Sequence, residues 1–283
     1  MNRFVLAFLL CLGQVATPRI ETGTVIYVHI SQDDVTIAAD SRRILVGTEQ
    51  HSDESCKISA FGDKFIFTAA GMTSYQSDKH EGWDAHTIAR ELWRKQSNSE
   101  SNAINLVNNV AEQFVIQMES IYRSPEFIAA AKINQSGGDP VLISALFAAT
   151  DKSGALAIRA LNIDYDDKLF SSSGEVRLVH DFTTLQAEKG GEEKFIGMGH
   201  DEVIGEFISM KSTRSREFMA WFLPQLTAVS PGQRRTALAS KYIELSILLH
   251  PKSDQVGFPI DVLQLERTTG VRWISVKPNC PKD

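Results

Sequence analysis

In the first part of the chain, hydrophobic residues form strand-like runs that come in pairs separated by polar turns. Residues 24–30 (TVIYVHI) and 35–39 (VTIAA) are rich in β-branched and apolar side chains, and a polar SQDD turn separates them. Residues 55–61 and 64–70 form a second pair around a Gly-Asp turn. Such runs, bounded by turn residues, are typical of β-hairpins. This part of the chain therefore predicts two consecutive hairpins.

The apolar spacing then changes to that of amphipathic helices. Residues 83–95 and 103–122 place apolar side chains three and four positions apart, which is the spacing of one helix face. Residues 201–210 and 231–249 are also predicted to be helical. Ser230-Pro231 is a favourable start for the last helix, because proline is tolerated in the first helical turn.

Strand-like runs return between and after the helices. They lie at residues 141–149, 155–163 and 194–196, and a closing hairpin is predicted at 258–265 and 271–276. Strands and helices thus come in blocks rather than in βαβ alternation. This order predicts the α+β fold class, within a single domain.

Composition indicates an ordinary globular protein. The chain has 283 residues, of which 43% are hydrophobic and 23% charged, close to globular averages. Its formal charge is −6 and its pI is near 5.7. Because no segment concentrates Lys and Arg, the sequence argues against a nucleic-acid partner.

The cysteines can form at most one disulfide once the expected N-terminal leader has been removed. The three cysteines are Cys11, Cys56 and Cys280, and Cys11 falls in the leader described next. Their spacing matches neither a metal site nor a disulfide framework, and no metal or organic cofactor is indicated. Whether Cys56 and Cys280 pair is left open by the sequence.

The N-terminus has the pattern of a secretory leader. Arg3 precedes an apolar run over residues 4–13, and small residues lead to Ala16. The run is too short to span a bilayer comfortably and fits a signal peptide of residues 1–16. This predicts an exported protein, periplasmic or secreted, with no membrane attachment after leader removal. The alternative is an apolar N-terminal strand or helix of a cytoplasmic protein.

Short motifs in the first half of the chain occur at set distances from Thr24. Thr24 follows Gly23, Asp40 lies sixteen residues later in an A-A-D-S-R segment, Lys57 follows in C-K-I, and Gly71 ends an A-A-G segment. This order resembles the opening of β-type proteasome subunits, members of the N-terminal-nucleophile (Ntn) hydrolase family. In that family a threonine, exposed by cutting after a glycine, becomes the nucleophile.

Motifs in the second half continue the resemblance. A G-M-G segment at residues 197–199 with Gly205 resembles the family's G-S-G segment and the helix after it. Asp254 and Gly257, before a P-I-D-V segment, resemble the loop behind the active site. The resemblance runs from about residue 22 to residue 265.

The resemblance carries expectations about fold and domain organisation. It implies a four-layer αββα sandwich of the Ntn-hydrolase type, formed by one domain over residues 24–283. Residues 17–23 would be a short propeptide remnant between the leader and the nucleophile. With its leader, the chain looks like an exported bacterial homologue of the family.

The resemblance also implies a threonine-type peptidase, matured by autocleavage between Gly23 and Thr24. A threonine at a chain terminus carries its own base, because a free α-amine has a reference pKa of about 8 and accepts a proton near neutral pH. The other implied roles belong to Lys57 (ammonium beside the Thr24 hydroxyl), Asp40 (partner of Lys57), Gly71 (oxyanion N–H), Ala69 (substrate pocket) and Asp254 (support behind Thr24).

Two departures from the family pattern leave alternatives open. Met198 and Gly257 stand where the family usually has serines that orient the terminal amine and a water. The chain is therefore also compatible with a catalytically inactive, uncleaved scaffold subunit, in which Asp40 and Lys57 form an inert buried pair. A third hypothesis keeps the chemistry but changes the substrate to a small amide.

Partners follow from the same resemblance. Family subunits pack their helix layers against neighbouring subunits. The resemblance therefore implies a homo-oligomer, for which a ring is one arrangement. An exported particle has no ATP-driven unfoldase, and its substrates are accordingly expected to be peptides or unfolded proteins.

Overall fold

The computed structural model describes residues 19–45, 51–76, 82–98, 102–128, 141–165, 178–185, 193–249, 256–278 and 280. Its strands are β1 (Arg19–Thr22), β2 (Val25–Ile30), β3 (Asp34–Ala39), β4 (Arg43–Leu45), β5 (His51–Ser52), β6 (Ile58–Phe61), β7 (Phe65–Gly71), β8 (Ser74–Gln76), β9 (Trp83–Asp84), β10 (Val141–Thr150), β11 (Leu156–Tyr165), β12 (Leu178–Leu185), β13 (Lys194–Gly199), β14 (Asp261–Glu266) and β15 (Gly270–Ser275). Its helices are α1 (Ala85–Gln96), α2 (Ala103–Tyr122), α3 (Glu202–Ser209), α4 (Thr213–Phe222) and α5 (Pro231–Leu249), with a 3₁₀ turn at Leu223–Leu226. The fold is mixed α/β.

The strands form three antiparallel sheets. Sheet I has the order β5-β4-β1-β8-β9, sheet II β12-β11-β10-β7-β6, and sheet III β13-β2-β3-β14-β15. Both predicted N-terminal hairpins are present, as β2–β3 in sheet III and β6–β7 in sheet II. The closing hairpin β14–β15 joins sheet III beside β3.

Three buried clusters hold these elements together. The first lies between sheet II and helices α1 and α2, and includes Phe114 of α2 against Phe147 of β10. The second lies between sheets II and III, where Ile66 and Ile37 are buried. The third joins sheet III to α3, α4 and α5. Burying side chains of this size contributes about 1.5–3 kcal/mol each, so packing fixes how the sheets and helices sit.

Helix starts follow local side-chain chemistry. The Asp84 carboxylate accepts a hydrogen bond from the Thr87 N–H at 2.9 Å and caps α1. Asn102 caps α2 by accepting from the N–H groups of Ile104 and Asn105. Each cap satisfies backbone donors that have no partner inside the helix.

Several elements differ from those expected. Sheet I was not predicted, because its strands have only two to four residues each and short runs show no measurable alternation. Helix α4 was also not predicted, since it buries only Ser215, Met219 and Phe222. The strand expected at residues 194–196 extends through Gly199 as β13.

The expected leader, residues 1–16, lies outside the described residues, whereas β1 covers most of the expected propeptide remnant. Cys56 and Cys280 form a disulfide with a Cα–Cα distance of 5.6 Å. None of the helices in the described ranges is long and apolar enough to cross a membrane.

Candidate active site

Thr24 lies at the junction between β1 and β2, in a backbone turn that requires glycine before it. Gly23 has φ +90°, a left-handed conformation that side chains disfavour. Thr24 is buried, and its Oγ1 donates a hydrogen bond to the Gly23 carbonyl oxygen at 2.5 Å. Its own carbonyl oxygen accepts from the His200 N–H at 2.8 Å, and a Cβ on Gly199 would overlap that oxygen. The turn is therefore held on both sides of the Gly23–Thr24 peptide bond.

Lys57, directly before β6, directs its ammonium at this bond. Its Nζ donates to both Thr24 Oγ1 and the Gly23 carbonyl oxygen. A further bond runs from Nζ to the Arg42 carbonyl oxygen at 2.5 Å, and Asp40 Oδ1 lies 3.8 Å away. Lys57 is fully buried, so its charge acts on the hydroxyl and the carbonyl with little solvent screening.

Asp40, directly after β3, is fixed by backbone donors. Its carboxylate accepts N–H bonds from Val25 (2.9 Å), Arg42 (3.0 Å) and Gly257 (3.1 Å). Complete burial raises the pKa of Asp40 above its ordinary value, against the opposing effects of Lys57 and these three donors. Asp40 thus joins β2, β3 and the segment before β14 at one point beside Lys57.

Of the remaining expected site residues, Gly71 lies near Thr24, Ala69 lies in the core and Asp254 is not described. Gly71 ends β7 with φ +97°, and a Cβ there would lie 2.6 Å from the Leu142 carbonyl oxygen. Ala69 is buried in the cluster against α1 and α2, whereas its neighbour Ala70 and Gly71 line the cavity described below. Asp254 lies outside the described residues. The fold brings Thr24, Asp40, Lys57 and Gly71 to strand ends at one edge of sheets II and III, and the pocket role of Ala69 remains a prediction.

Met198 and Gly257, the two positions that depart from the pattern of the resemblance, make other contacts in this structure. Met198 is buried in the cluster between sheets II and III. At Gly257 a Cβ would lie 2.7 Å from Arg42 Nε, so the guanidinium occupies the space of a side chain. Asp53 holds that guanidinium by two bonds, of 2.6 and 2.9 Å.

A cavity of about 530 Å³ opens beside the Gly23–Thr24 bond. Its walls come from the ends of β7 and β13, from interior positions of β10, β11 and β12, and from the start of α3. The lining residues are Gly23, Thr24, Ala70, Gly71, Ser144, Ala145, Ala160, Leu161, Asn162, Thr183, Ile196, Gly197, Met198, Gly199, His200, Asp201 and Glu202. The volume accommodates part of a peptide beside the candidate nucleophile.

A histidine in the core behind Lys57 was not singled out by the sequence. His86 Nδ1 lies 2.8 Å from Ser59 Oγ, and both side chains are buried. Burial lowers the pKa of His86 to about 4, so this imidazole is neutral near pH 7. It lies outside the lining of the cavity and has the environment of a core histidine.

Sequence reasoning missed two contributors to the site. The Arg42 carbonyl carries no sequence signal, because every residue has one. His200, by contrast, directly follows the G-M-G segment, and its N–H holds Thr24. As for metals, no group of three or more His, Cys, Asp or Glu side chains in the described ranges could hold an ion.

Comparison with known proteins gives a distant structural similarity. No family model and no curated protein matches the chain. Among solved structures, the chain is similar to the Gly-1 mutant of Anbu from Hyphomicrobium sp. strain MC1, a bacterial proteasome-like protein. The identity is 15% and the TM-score 0.48, with 91% of this chain and 89% of that chain covered. At this TM-score and identity the likeness carries no argument, and the proposed chemistry rests on the residues described above.

Proposed function

We propose that this chain is a proteasome-like threonine hydrolase that cuts its own Gly23–Thr24 bond and then hydrolyses peptides. The observation that carries the proposal is the position of Lys57 Nζ, which contacts both the Thr24 hydroxyl and the Gly23 carbonyl oxygen. A buried ammonium at this point stabilises negative charge on either oxygen. An inert buried ion pair has no need of these two contacts.

Maturation follows from the same contacts. Thr24 Oγ adds to the Gly23 carbonyl carbon while Lys57 stabilises the charge that develops on the carbonyl oxygen. The C–N bond then breaks, the hydroxyl proton passes to the Thr24 nitrogen, and an ester joins Gly23 to Oγ. Water hydrolyses this ester to a Gly23 carboxylate and a Thr24 with a free amine and hydroxyl. The terminal amine of Thr24, which can serve as its base, exists from the moment the C–N bond has broken and the ester has formed.

The strand upstream of the bond favours a peptide substrate over a small amide. β1 lies in sheet I between β4 and β8, antiparallel to both, with Thr22 opposite Ile44 and Glu21 opposite both Leu45 and Ser74. Release of β1 after the cut would leave a slot with unpaired backbone groups on both sides. An extended peptide can fill such a slot by strand addition, with its scissile carbonyl where Gly23 is now.

The second candidate is an uncleaved scaffold subunit. It is favoured by Met198 and Gly257, which remove the serines that the family uses around the terminal amine. Against it stand Gly23 at positive φ and the contacts of Lys57. The two functions differ in one measurable property, the N-terminal residue of the purified protein.

The expected four-layer sandwich, export and homo-oligomer are part of this proposal. The order of the three clusters, from α1 and α2 through sheets II and III to α3–α5, supports a four-layer αββα sandwich. The Cys56–Cys280 bridge supports export, since disulfides persist in oxidising compartments. The homo-oligomer rests on the resemblance alone, and the mass of the native particle tests it.

The deciding experiment compares the full chain with Thr24→Ala and Thr24→Ser by intact mass and N-terminal sequencing. Thr24→Ser keeps a hydroxyl at the same place, whereas Thr24→Ala removes it. We expect the parent to begin at Thr24, the serine variant to begin at Ser, and the alanine variant to keep its upstream residues. If all three keep the same upstream residues, the scaffold function replaces the hydrolase.

A further inference from the structure

A second buried lysine, Lys277, lies in the segment after β15. Its side chain is only 5% exposed, so its ammonium depends on partners inside the protein. Nζ donates to Ser41 Oγ at 2.8 Å and to the Ser55 carbonyl oxygen, and it pairs with Asp261 Oδ2 at 2.8 Å. The three donors of this ammonium therefore have three acceptors.

The first of these acceptors, Ser41, lies between two residues that hold Lys57. Asp40 before it places a carboxylate oxygen 3.8 Å from Lys57 Nζ, and Arg42 after it offers a carbonyl oxygen that accepts from Nζ at 2.5 Å. Ser41 is itself fully buried. A displacement of Ser41 would therefore move both partners of Lys57 at once.

The second acceptor, Ser55, lies in the segment that carries Lys57 itself, two residues before it. Cys56, the residue between them, is bonded to Cys280, three residues after Lys277. The segment after β15 thus holds the approach to β6 in two ways, by a covalent bond and by the Lys277 ammonium.

Neutralisation of Asp261 does not account for this arrangement. Asp261, the first residue of β14, is 1% exposed, and it accepts from the Lys277 N–H at 2.9 Å in addition to its ion pair. A lysine that only balanced this carboxylate would need one of its three donors. The other two are directed at Ser41 and Ser55, the segments that meet at Lys57.

We propose that Lys277 is a positioning residue that holds Lys57 against the Gly23–Thr24 bond. It does so through its contacts with Ser41 and Ser55, which form the Lys277 clamp. The part of Lys277 in catalysis rests on the proposed function, whereas the clamp on Lys57 is a property of the folded chain. The ammonium contacts the framework around Lys57, so Lys277 acts through that residue.

Ser41→Ala removes one anchor of the clamp and keeps the ion pair of Lys277. Pulse-labelled cell-free synthesis supplies the precursor, and intact mass follows the cut at Gly23–Thr24. The rate should fall at least about tenfold, since a small displacement of a catalytic group costs this much. Ser246→Ala is the matched control, because Ser246 is equally buried and donates to the Tyr242 carbonyl oxygen within α5. The control should cut at the parent's rate.

Lys277→Met combined with Asp261→Asn removes the clamp and leaves no unpaired charge. The matched control is Arg235→Met with Asp34→Asn, which neutralises another buried pair, where Arg235 Nε donates to Asp34 Oδ1 at 3.0 Å. Asp34 begins β3 and Asp40 follows its end, and the six residues of this strand place the two ends about 20 Å apart. Both double variants should lower the midpoint of chemical denaturation, but only the first should slow the cut at least about tenfold.

A spectroscopic measurement separates the clamp from the reaction. In the Thr24→Ala chain, which lacks the nucleophile, NMR with isotope-labelled lysine observes the Lys57 ammonium, assigned by its loss in Lys57→Met. A buried ammonium in fixed hydrogen bonds exchanges its protons slowly with water. Addition of the Lys277 double variant should speed this exchange at least about tenfold, and addition of the Arg235 double variant should leave it unchanged.

The clamp and the hydrolase fail in different ways. A parent chain that never cuts, with a Lys57 signal that still depends on Lys277, would remove the hydrolase and leave the clamp standing. A Lys57 signal that the Lys277 double variant leaves unchanged would overturn the clamp. Equal slowing of the cut in the Lys277 and Arg235 double variants would do the same, because the loss would then follow from stability alone.

Discussion

The guanidinium of Arg42 lies where a side chain at Gly257 would stand, with Arg42 Nε 2.7 Å from the position of a Cβ at residue 257. Asp53 pairs with the guanidinium at 2.6 Å, while the Gly257 N–H donates to Asp40. The glycine therefore does two things. It admits the guanidinium, and it lets its own backbone close on the carboxylate beside Lys57.

Gly257→Ser tests this arrangement. The serine should displace the guanidinium and disturb the N–H donor to Asp40, lowering the free energy of unfolding by about 1–3 kcal/mol and slowing processing at Gly23–Thr24. Chemical denaturation and intact mass measure the two effects. Gly205→Ala is the control, because no atom lies within 4 Å of a Cβ there. In helix α3 it should stabilise by up to about 1 kcal/mol, and equal behaviour of both variants would contradict the account.

Lys57→Met removes the ammonium and keeps much of the side-chain volume. Processing should stop, because the Gly23 carbonyl oxygen loses its charged donor. Asp40 would also be left buried without its cation, which costs about 3–5 kcal/mol of stability. Intact mass and denaturation of the purified variant measure both.

The control for this prediction is Lys152→Met, at an exposed position in the turn between β10 and β11. It should change stability by less than about 0.5 kcal/mol and process like the parent. A folded Lys57→Met chain that cuts at the parent's rate would remove Lys57 from the mechanism.

His86 predicts a pH dependence of stability. Burial depresses the folded pKa of His86 to about 4 from an ordinary value of 6.5, so the unfolded chain binds more protons between these pH values. The stabilising contribution is therefore present above pH 6.5 and is lost as the pH falls toward 4, by about 3 kcal/mol in total.

His86→Asn should flatten that dependence while keeping a polar atom near Ser59. Denaturation curves at several pH values between 7 and 4 measure it. Gln225→Ala, at an exposed side chain without an acidic or basic group, should run parallel to the parent. If His86→Asn is also parallel to the parent, the imidazole does not control acid stability.

The disulfide ties the C-terminal end to the residue before Lys57. Because Cys56 and Cys280 are 224 residues apart, the bridge restricts the unfolded chain strongly. Cys280→Ser should lower stability by about 2–5 kcal/mol and slow processing by loosening Lys57. Unfolding with and without reductant checks this. Reduced parent and Cys280→Ser should coincide, and Cys11→Ser should match the oxidised parent.

The sequence by itself determined the longer strands and helices and the spacing of the motifs. Hairpins β2–β3 and β6–β7 could be predicted because an apolar, β-branched run bounded by turn residues is a local feature of the sequence. Helix α2 could be predicted because its apolar residues recur at helical spacing, which is also a local feature of the sequence. The sixteen-residue step from Thr24 to Asp40 can also be seen without the fold. Its resemblance to the Ntn-hydrolase pattern named the candidate nucleophile and its lysine.

Only the tertiary structure decided how these residues meet. The hydrogen bond from the Gly257 N–H to Asp40 joins residues 217 positions apart, and the contact of Lys57 with the Gly23 oxygen joins residues 34 apart. Such distances depend on how sheets II and III pack, and no local pattern encodes them. The slot around β1, the guanidinium at Gly257 and the cavity beside Thr24 belong to the same category, because each forms from segments that only the packed core brings together.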